Sequence, residues 1–259
     1  VVFSYAEFLQ LAGLYFYPFV RIGAMLSIIP IFGIRAIPVR SKVILTVFLT
    51  LVIAPLLQLP PPTDPFSWKG VLLIMQQILI GMAMGLIFLV VFQAFVIAGH
   101  LIAMGMGLAF AQMVDPATGV NSPVVSQYFT IVVTLLFLAL NGHLLVIQVV
   151  TDSFEYLPIG INFLTMDSLR LIFEFGGYMF SAGVLVALPA ITTLLLINIS
   201  FGVVTRAAPA LNIFAVGFPV TLLTGLIMLS LITPLILPHL QELVSRAVDT
   251  ILQLKLTGS

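Results

Sequence analysis

The side chains best suited to proton transfer or metal binding are the three histidines, His100, His143 and His239. They lie far apart, and none has a second ligand type at helical spacing, so no metal site is expected. His143, in "NGHL", is expected to satisfy a helix end or a turn. The chain has no cysteine, which removes disulfides, thiolate catalysis and cysteine-bound metals together. It also lacks the phosphate-cradling G-x-x-x-x-G-K-[ST] loop, the zinc motif H-E-x-x-H and the nucleophile elbow G-x-S-x-G. With no catalytic constellation left, neither an enzyme nor a cofactor is expected.

Two charges lie where charge is costly. Arg21 interrupts the first apolar block, and Asp115 falls between two long ones. Such residues can line an ion or proton path. A self-contained small-molecule transporter would need a polar midplane site of this kind, and that reading stays open. The alternative is structural. Arg21 would pair with a neighbouring subunit or a helix end. Asp115 would anchor a turn, since Asp-Pro followed by "ATGVNSP" is rich in turn formers and an Asp side chain readily accepts from backbone N–H groups there.

A third kind of chemistry is that of a hydrophobic closure. The stretch "MGMGLAFAQMVDPATGVNSPVV", Met104 to Val125, places flexible methionines (Met104, Met106, Met113) around a bulky Phe110. Gly105, Gly107 and Gly119 permit backbone conformations that a straight helix does not use. Asp115 and Asn121 would tie down the base. A flexible apolar loop hung from a firm turn can fill a pore and be displaced, and an apolar constriction can stop ions by dewetting. A plain helix with core methionines followed by a surface loop fits the same residues.

The elements that must position these residues follow from composition. Hydrophobic residues make up 61% of the 259 and charged residues 7%, with nine Lys and Arg against nine Asp and Glu. Such a chain cannot supply a soluble domain's charged skin, which takes about a quarter of the residues. It belongs in lipid or among other apolar subunits, and its charge balance gives no basic surface for nucleic acid. No basic region precedes the first apolar run, so an ordinary cleavable leader is not expected.

Apolar blocks run over Phe8–Phe32, Val43–Leu59, Val71–Ile97, Val124–Val150 (broken near "NGHL"), Phe175–Val204 and Thr221–Leu237. The fold class expected is all-α, a multi-helix membrane-type protein with helices broken at proline and glycine. The loop with Arg35, Arg40 and Lys42 is the densest basic cluster and is placed on the cytoplasmic side. Gly81 and Gly85 have the G-x-x-x-G spacing that lets another helix approach. Thr151–Glu174 is expected as an aqueous loop with one short helix, and Thr205–Val220 as a punctuated connection. The tail has apolar residues at helical spacing (Leu240, Leu243, Val244, Ala247, Ile251, Leu254), an amphipathic helix for a membrane surface or a partner. Val43–Pro60 and Val220–Pro238 echo one another, as a duplicated unit would.

Four stretches carry a family resemblance. "GLAFAQMVDPATGVNSPVVSQ" resembles the central loop of the FliR family, the export-gate subunit of the flagellar type III secretion system, with SctT as its injectisome form. "IPIFGIRAIPVRSKVILT" is similar to the family's first basic loop, "LNGHLLVIQVVTDSFEYLPIG" to the segment after the fourth block, and "RAAPALNIFAVGFPVTLLTGL" to its proline-punctuated C-terminal motif. They occur in order over nearly the whole chain, and "NGHL" favours the flagellar branch. The resemblance implies packing in a helical gate with FliP-type and FliQ-type subunits, beside FlhB-type and FlhA-type proteins. It implies that residues 1–150 are a FliP-like part and 175–259 a FliQ-like part of one subunit. It further implies passage of unfolded flagellar proteins, a site at the bacterial inner membrane projecting towards the periplasm with some lipid contact, and a plug at 104–123. By position, that plug contains Gly107, Phe110, Met113, Asp115 and Gly119.

Overall fold

The computed structural model describes residues 5–33, 37–64, 67–108, 123–207 and 213–256. Among them every regular element is helical, apart from one isolated antiparallel bridge between Leu164 and Leu256. The helices are α1 (Tyr5–Ile28), α2 (Pro30–Gly33), α3 (Val39–Ile53), α4 (Trp68–Gly105), α5 (Val124–Ala139), α6 (Gly142–Tyr156), α7 (Met166–Ala207) and α8 (Ile213–Leu252). Five are long and apolar enough to cross a membrane, and a sixth span results if α5 and α6 are taken as one broken crossing. The all-α membrane class is therefore observed.

The chain forms two compact units. One gathers Val1–Val90, Asn141–Gly176 and Val244–Ser259; the other gathers Val91–Leu140 and Gly177–Leu243. In the first unit α1 packs on α3. It buries Leu14, Tyr17, Arg21, Ile22, Met25 and Leu26, a stripe with helical spacing. Thr46 and Thr50 on α3 are buried because their hydroxyls donate to the carbonyls of Lys42 and Thr46, one turn back. The Gly81–Gly85 spacing works as a contact. A Cβ on Gly81 would fall onto the Arg21 carbonyl, and one on Gly85 would lie 3.0 Å from Ile28 Cβ and from the Met25 carbonyl, so both glycines admit the backbone of α1. In the second unit Gly99 does the same for α5, where a Cβ would lie 2.6 Å from Ser126 Cα.

Punctuation acts where the backbone requires it. Pro30 follows the end of α1, and the prolines from Pro60 follow the 3₁₀ turn Ala54–Leu56. The break in the fourth block falls at Asn141, held at φ 57°, a left-handed position that asparagine tolerates. Pro18, Pro189, Pro219, Pro234 and Pro238 instead lie inside continuous helices.

Three expectations are corrected. Residues Thr151–Glu174 are mostly helical: α6 runs to Tyr156, and α7 starts at Met166. The polar residues sit on exposed faces of these turns, with Asp152 and Glu155 beside buried Ser153 and Phe154, and Arg170 paired with Glu174 at 2.8 Å. Polarity marked a solvated face there, not a loop. The connection after α7 is shorter than Thr205–Val220, since α8 starts at Ile213. The tail is no separate amphipathic helix either. It continues α8, and Leu240, Leu243, Ala247, Ile251 and Leu254 are buried within the chain, Val244 half-buried. That stripe is already covered.

A clasp closes the first unit. Thr165 caps α7 by accepting from the Ser168 N–H at 3.1 Å. The buried Ser168 hydroxyl accepts from the Lys255 N–H at 2.8 Å and donates to the Lys255 carbonyl at 3.0 Å. Ser168→Ala leaves the Lys255 N–H without this acceptor. It is expected to cost about 1–3 kcal/mol and to make residues after Leu252 more accessible to carboxypeptidase, measured as the digestion rate of the purified protein.

Candidate functional site

The C-terminal end of α4, in the second unit, begins the methionine-glycine stretch. Helix α4 stops because Gly107 adopts φ +79°, with its N–H donating to the Met104 carbonyl at 3.0 Å. The three residues at this end are each seated against α7 or α8. Gly105 faces Leu194, where a Cβ would lie 3.0 Å from Cδ1. Met106 is 1% exposed and lies against Gly225, while its carbonyl accepts from the Thr221 hydroxyl at 3.2 Å. Gly107 faces the Phe218 ring. Met104, by contrast, is 55% exposed.

Phe110, Met113, Asp115, Gly119 and Asn121 lie outside the described residues. Leu108 and Val124, on either side of 109–122, line one apolar cleft of about 730 Å³ together with Met106, Val125, Tyr128 and Leu226. Arg35 is also outside the described residues; Arg40 and Lys42 sit in the first turn of α3, exposed and half-buried, rather than in a loop.

The first unit holds the other concentration of polar chemistry. Arg21 is fully buried. Its Nε donates to Gln77 Oε1 at 2.7 Å, its Nη1 to the Ser153 carbonyl and hydroxyl at 3.1 Å, and its Nη2 to the Leu157 carbonyl at 2.7 Å. The guanidinium stands 4.1 Å from the centre of the Phe154 ring. Every one of these acceptors is neutral. The charge is offset by the carbonyl end of α6, which carries a partial negative charge. Gln77 continues the network, donating to Gln76 Oε1 at 2.7 Å, and Gln76 donates to the Asn162 carbonyl at 2.6 Å. One cation thus ties α1, α4, the end of α6 and the 157–162 loop together. Of the roles weighed for Arg21, the helix-end role is the one observed, within its own chain. Burial and these four hydrogen bonds commit its side chain to its own chain. The adjacent pair Gln76–Gln77, in a block free of charge, was the sequence signal for this network and was not singled out.

The histidines do not converge. Among the described residues no group of three or more metal-binding side chains occurs. His100 Nδ1 lies 2.9 Å from the Ser126 hydroxyl. His143 does not satisfy the turn through Nδ1, which is buried without a hydrogen-bond partner.

With this geometry in place, comparison with known proteins is informative. Residues 12–247 match the family described as bacterial export proteins, family 1. Among individual relatives, the flagellar biosynthetic protein FliR of Pectobacterium carotovorum subsp. carotovorum is 46% identical over 236 residues, 91% of this chain and 90% of that one. FliR of Escherichia coli strain K12 is 40% identical over 240 residues, 92% and 91%. FliR of Bacillus subtilis strain 168 is 29% identical over 236 residues, 90% of each chain.

Proposed function

We infer the function from a premise that these matches establish: the chain belongs to the bacterial export proteins, family 1. It is a non-enzymatic core subunit of the flagellar type III protein export gate. It forms part of the channel, and part of the plug that closes it, through which unfolded flagellar proteins cross the inner membrane. Its partners in this reading are FliP-type and FliQ-type gate subunits, with FlhB-type and FlhA-type export proteins alongside. Residues 1–150 serve as the FliP-like part and 175–259 as the FliQ-like part. Helices α7 and α8, joined by the short connection 208–212, make up most of the latter.

The observation that carries the assembly role is helix length. Helices α4, α7 and α8 have 38, 42 and 40 residues. At about 1.5 Å per residue they reach roughly 57–63 Å, twice the ~30 Å hydrocarbon core of a bilayer. Large apolar side chains stay exposed along α7 from Phe173 to Val204 and along α8 from Val216 to Leu252. Lipid covers about half of such a length, and the rest calls for other apolar protein.

The plug role is tested by deletion. Because Met106 is seated on α8, the informative change removes Phe110–Met113 and spares the seat. In complexes that keep their full subunit set, this deletion is expected to raise small-ion leak several-fold, read as membrane conductance. Phe110→Ala should leak less, since neighbouring apolar residues still narrow the path. Unchanged conductance after the deletion would overturn the plug.

A further inference from the structure

We propose that the outer face of α3 is a lipid-contact surface, with Arg40 and Lys42 in its first turn holding the phosphate groups of anionic phospholipid. The proposal goes beyond the gate reading, which assigns nothing to this helix face, and it does not depend on the plug.

Helix α3 is divided lengthwise. Thr46, Leu49, Thr50 and Ile53 are buried, on the side that meets α1. Val43, Ile44, Val47, Phe48, Leu51 and Val52 are exposed. They recur in pairs one turn apart, so they form a single apolar stripe. A contiguous apolar surface of this kind calls for a cover other than water. Its length says which. The span Val39–Leu56 has 18 residues, about 27 Å at 1.5 Å per residue, close to the ~30 Å of a hydrocarbon core. A bilayer covers the whole of it, whereas α4, α7 and α8 are about twice as long as that core is thick.

The ends of this layer are marked by polar and aromatic residues. Thr46 of α3 lies beside Gly23, and Gly81 of α4 lies beside Arg21 and Ala24, so the three helices share a level there. Pro60, after α3, lies beside Gly13, and Gly85 lies beside Ile28. Helix α3 therefore runs against α1, and α4 runs with it. From the shared level Arg40 stands roughly 9 Å one way and Trp68 roughly 20 Å the other, so about 30 Å separates them. Trp68 and Lys69 are exposed at their edge, as residues at a membrane–water interface are. Arg40 is exposed and Lys42 half-buried at the opposite edge. Both stand at the positive end of the α3 dipole, where a cation is disfavoured. Among the described residues neither has a carboxylate partner. Anionic headgroups supply the missing negative charge at the level where the apolar stripe ends.

The test uses the assembled complex in nanodiscs made of equal parts phosphatidylglycerol and phosphatidylcholine. Phe48→Cys, in a chain with no cysteine of its own, takes a nitroxide label, with any cysteine of the partner subunits replaced. Its spin relaxation is expected to respond strongly to oxygen, which dissolves in lipid, and weakly to a water-soluble nickel chelate. Low access to both reagents would show that protein covers the face, and high access to nickel that water does; either overturns the lipid surface. Leu51→Cys gives the same reading if the first label disturbs assembly. The headgroup contact is read by native mass spectrometry of the lipid that the purified complex retains. Wild type should hold several-fold more phosphatidylglycerol than phosphatidylcholine. Arg40→Gln with Lys42→Gln should lower that ratio several-fold, while Arg40→Lys, which keeps the charge, should preserve it. An unchanged ratio in the double variant overturns the anionic-lipid assignment. If a subunit is lost from the complex at the same time, the two cations belong to an acidic protein partner.

Discussion

Arg21→Leu is expected to cause the largest loss of stability of any single substitution in the first unit. Leucine fills part of the space but brings no donor. Gln77 Oε1 and the Leu157 carbonyl lose their recorded donor, while the Ser153 carbonyl keeps the Leu157 N–H at 2.9 Å. Each buried acceptor left bare costs about 1–3 kcal/mol. The two together come to roughly 2–6 kcal/mol, a large share of the 5–15 kcal/mol that holds a typical protein together. Arg21→Lys keeps the charge but not the planar fork that reaches three elements, so its loss should be intermediate. Denaturant unfolding in detergent reads the order wild type, Lys, Leu. Proteolysis of 157–162 should accelerate in the same order. Equal unfolding midpoints for wild type and Arg21→Leu would mean that the network contributes nothing.

Gly81→Val is expected to be nearly as damaging, for a steric reason. Most Gly→Ala changes inside a helix gain about 1 kcal/mol of propensity. At Gly81 the added Cβ would meet the Arg21 carbonyl and, at 2.9 Å, Ala24 Cβ, neither of which can swing aside. Overpacking of this kind costs about 1–3 kcal/mol and more for a branched side chain, so Gly81→Ala should already destabilise. Gly85→Ala, with contacts of 3.0 Å, should come out near neutral, because propensity and crowding offset each other. Gly81 lies one turn after Gln77 on α4. Pushing α1 away therefore also withdraws Arg21 from its partner. The two substitutions should be less than additive in a double-mutant cycle on unfolding free energy. Simple additivity would show that the helix crossing and the arginine network are separate.

Both sites were partly legible in the sequence. The G-x-x-x-G spacing announced a close approach but not which helix approaches, because partner choice depends on tertiary contacts. Arg21 announced a costly charge. Its acceptors, the Ser153 and Leu157 carbonyls, are backbone atoms that no residue type marks. The apolar blocks gave the helices, and the break at Asn141 fell where "NGHL" placed it. Boundaries failed where polarity was taken for a loop. Asp152, Glu155, Arg170 and Glu174 are all exposed residues of regular helix. Proline misled at the other end: Pro219, Pro234 and Pro238 lie within one 40-residue helix. Met106 read as one of several loose methionines, and only the glycine facing it, 119 positions on, reveals that it is seated.

The interleaving of the two units sets an order of events during synthesis. The first unit needs Val1–Val90, then Asn141–Gly176, then the stretch from Val244 onward. A ribosome delivers these pieces in that order, with all the residues between them made in the meantime. Until Val244 and its followers appear, Ser168 has no Lys255 to clasp, and Ala247, Ile251 and Leu254 are not there to cover what they cover in the finished protein. The nascent chain therefore carries an incomplete unit through nearly the whole of its translation, with apolar faces open to premature association. A message cut short near its end would release a subunit with almost all of its helices and no way to close the first unit. The cell's membrane proteases should clear that product.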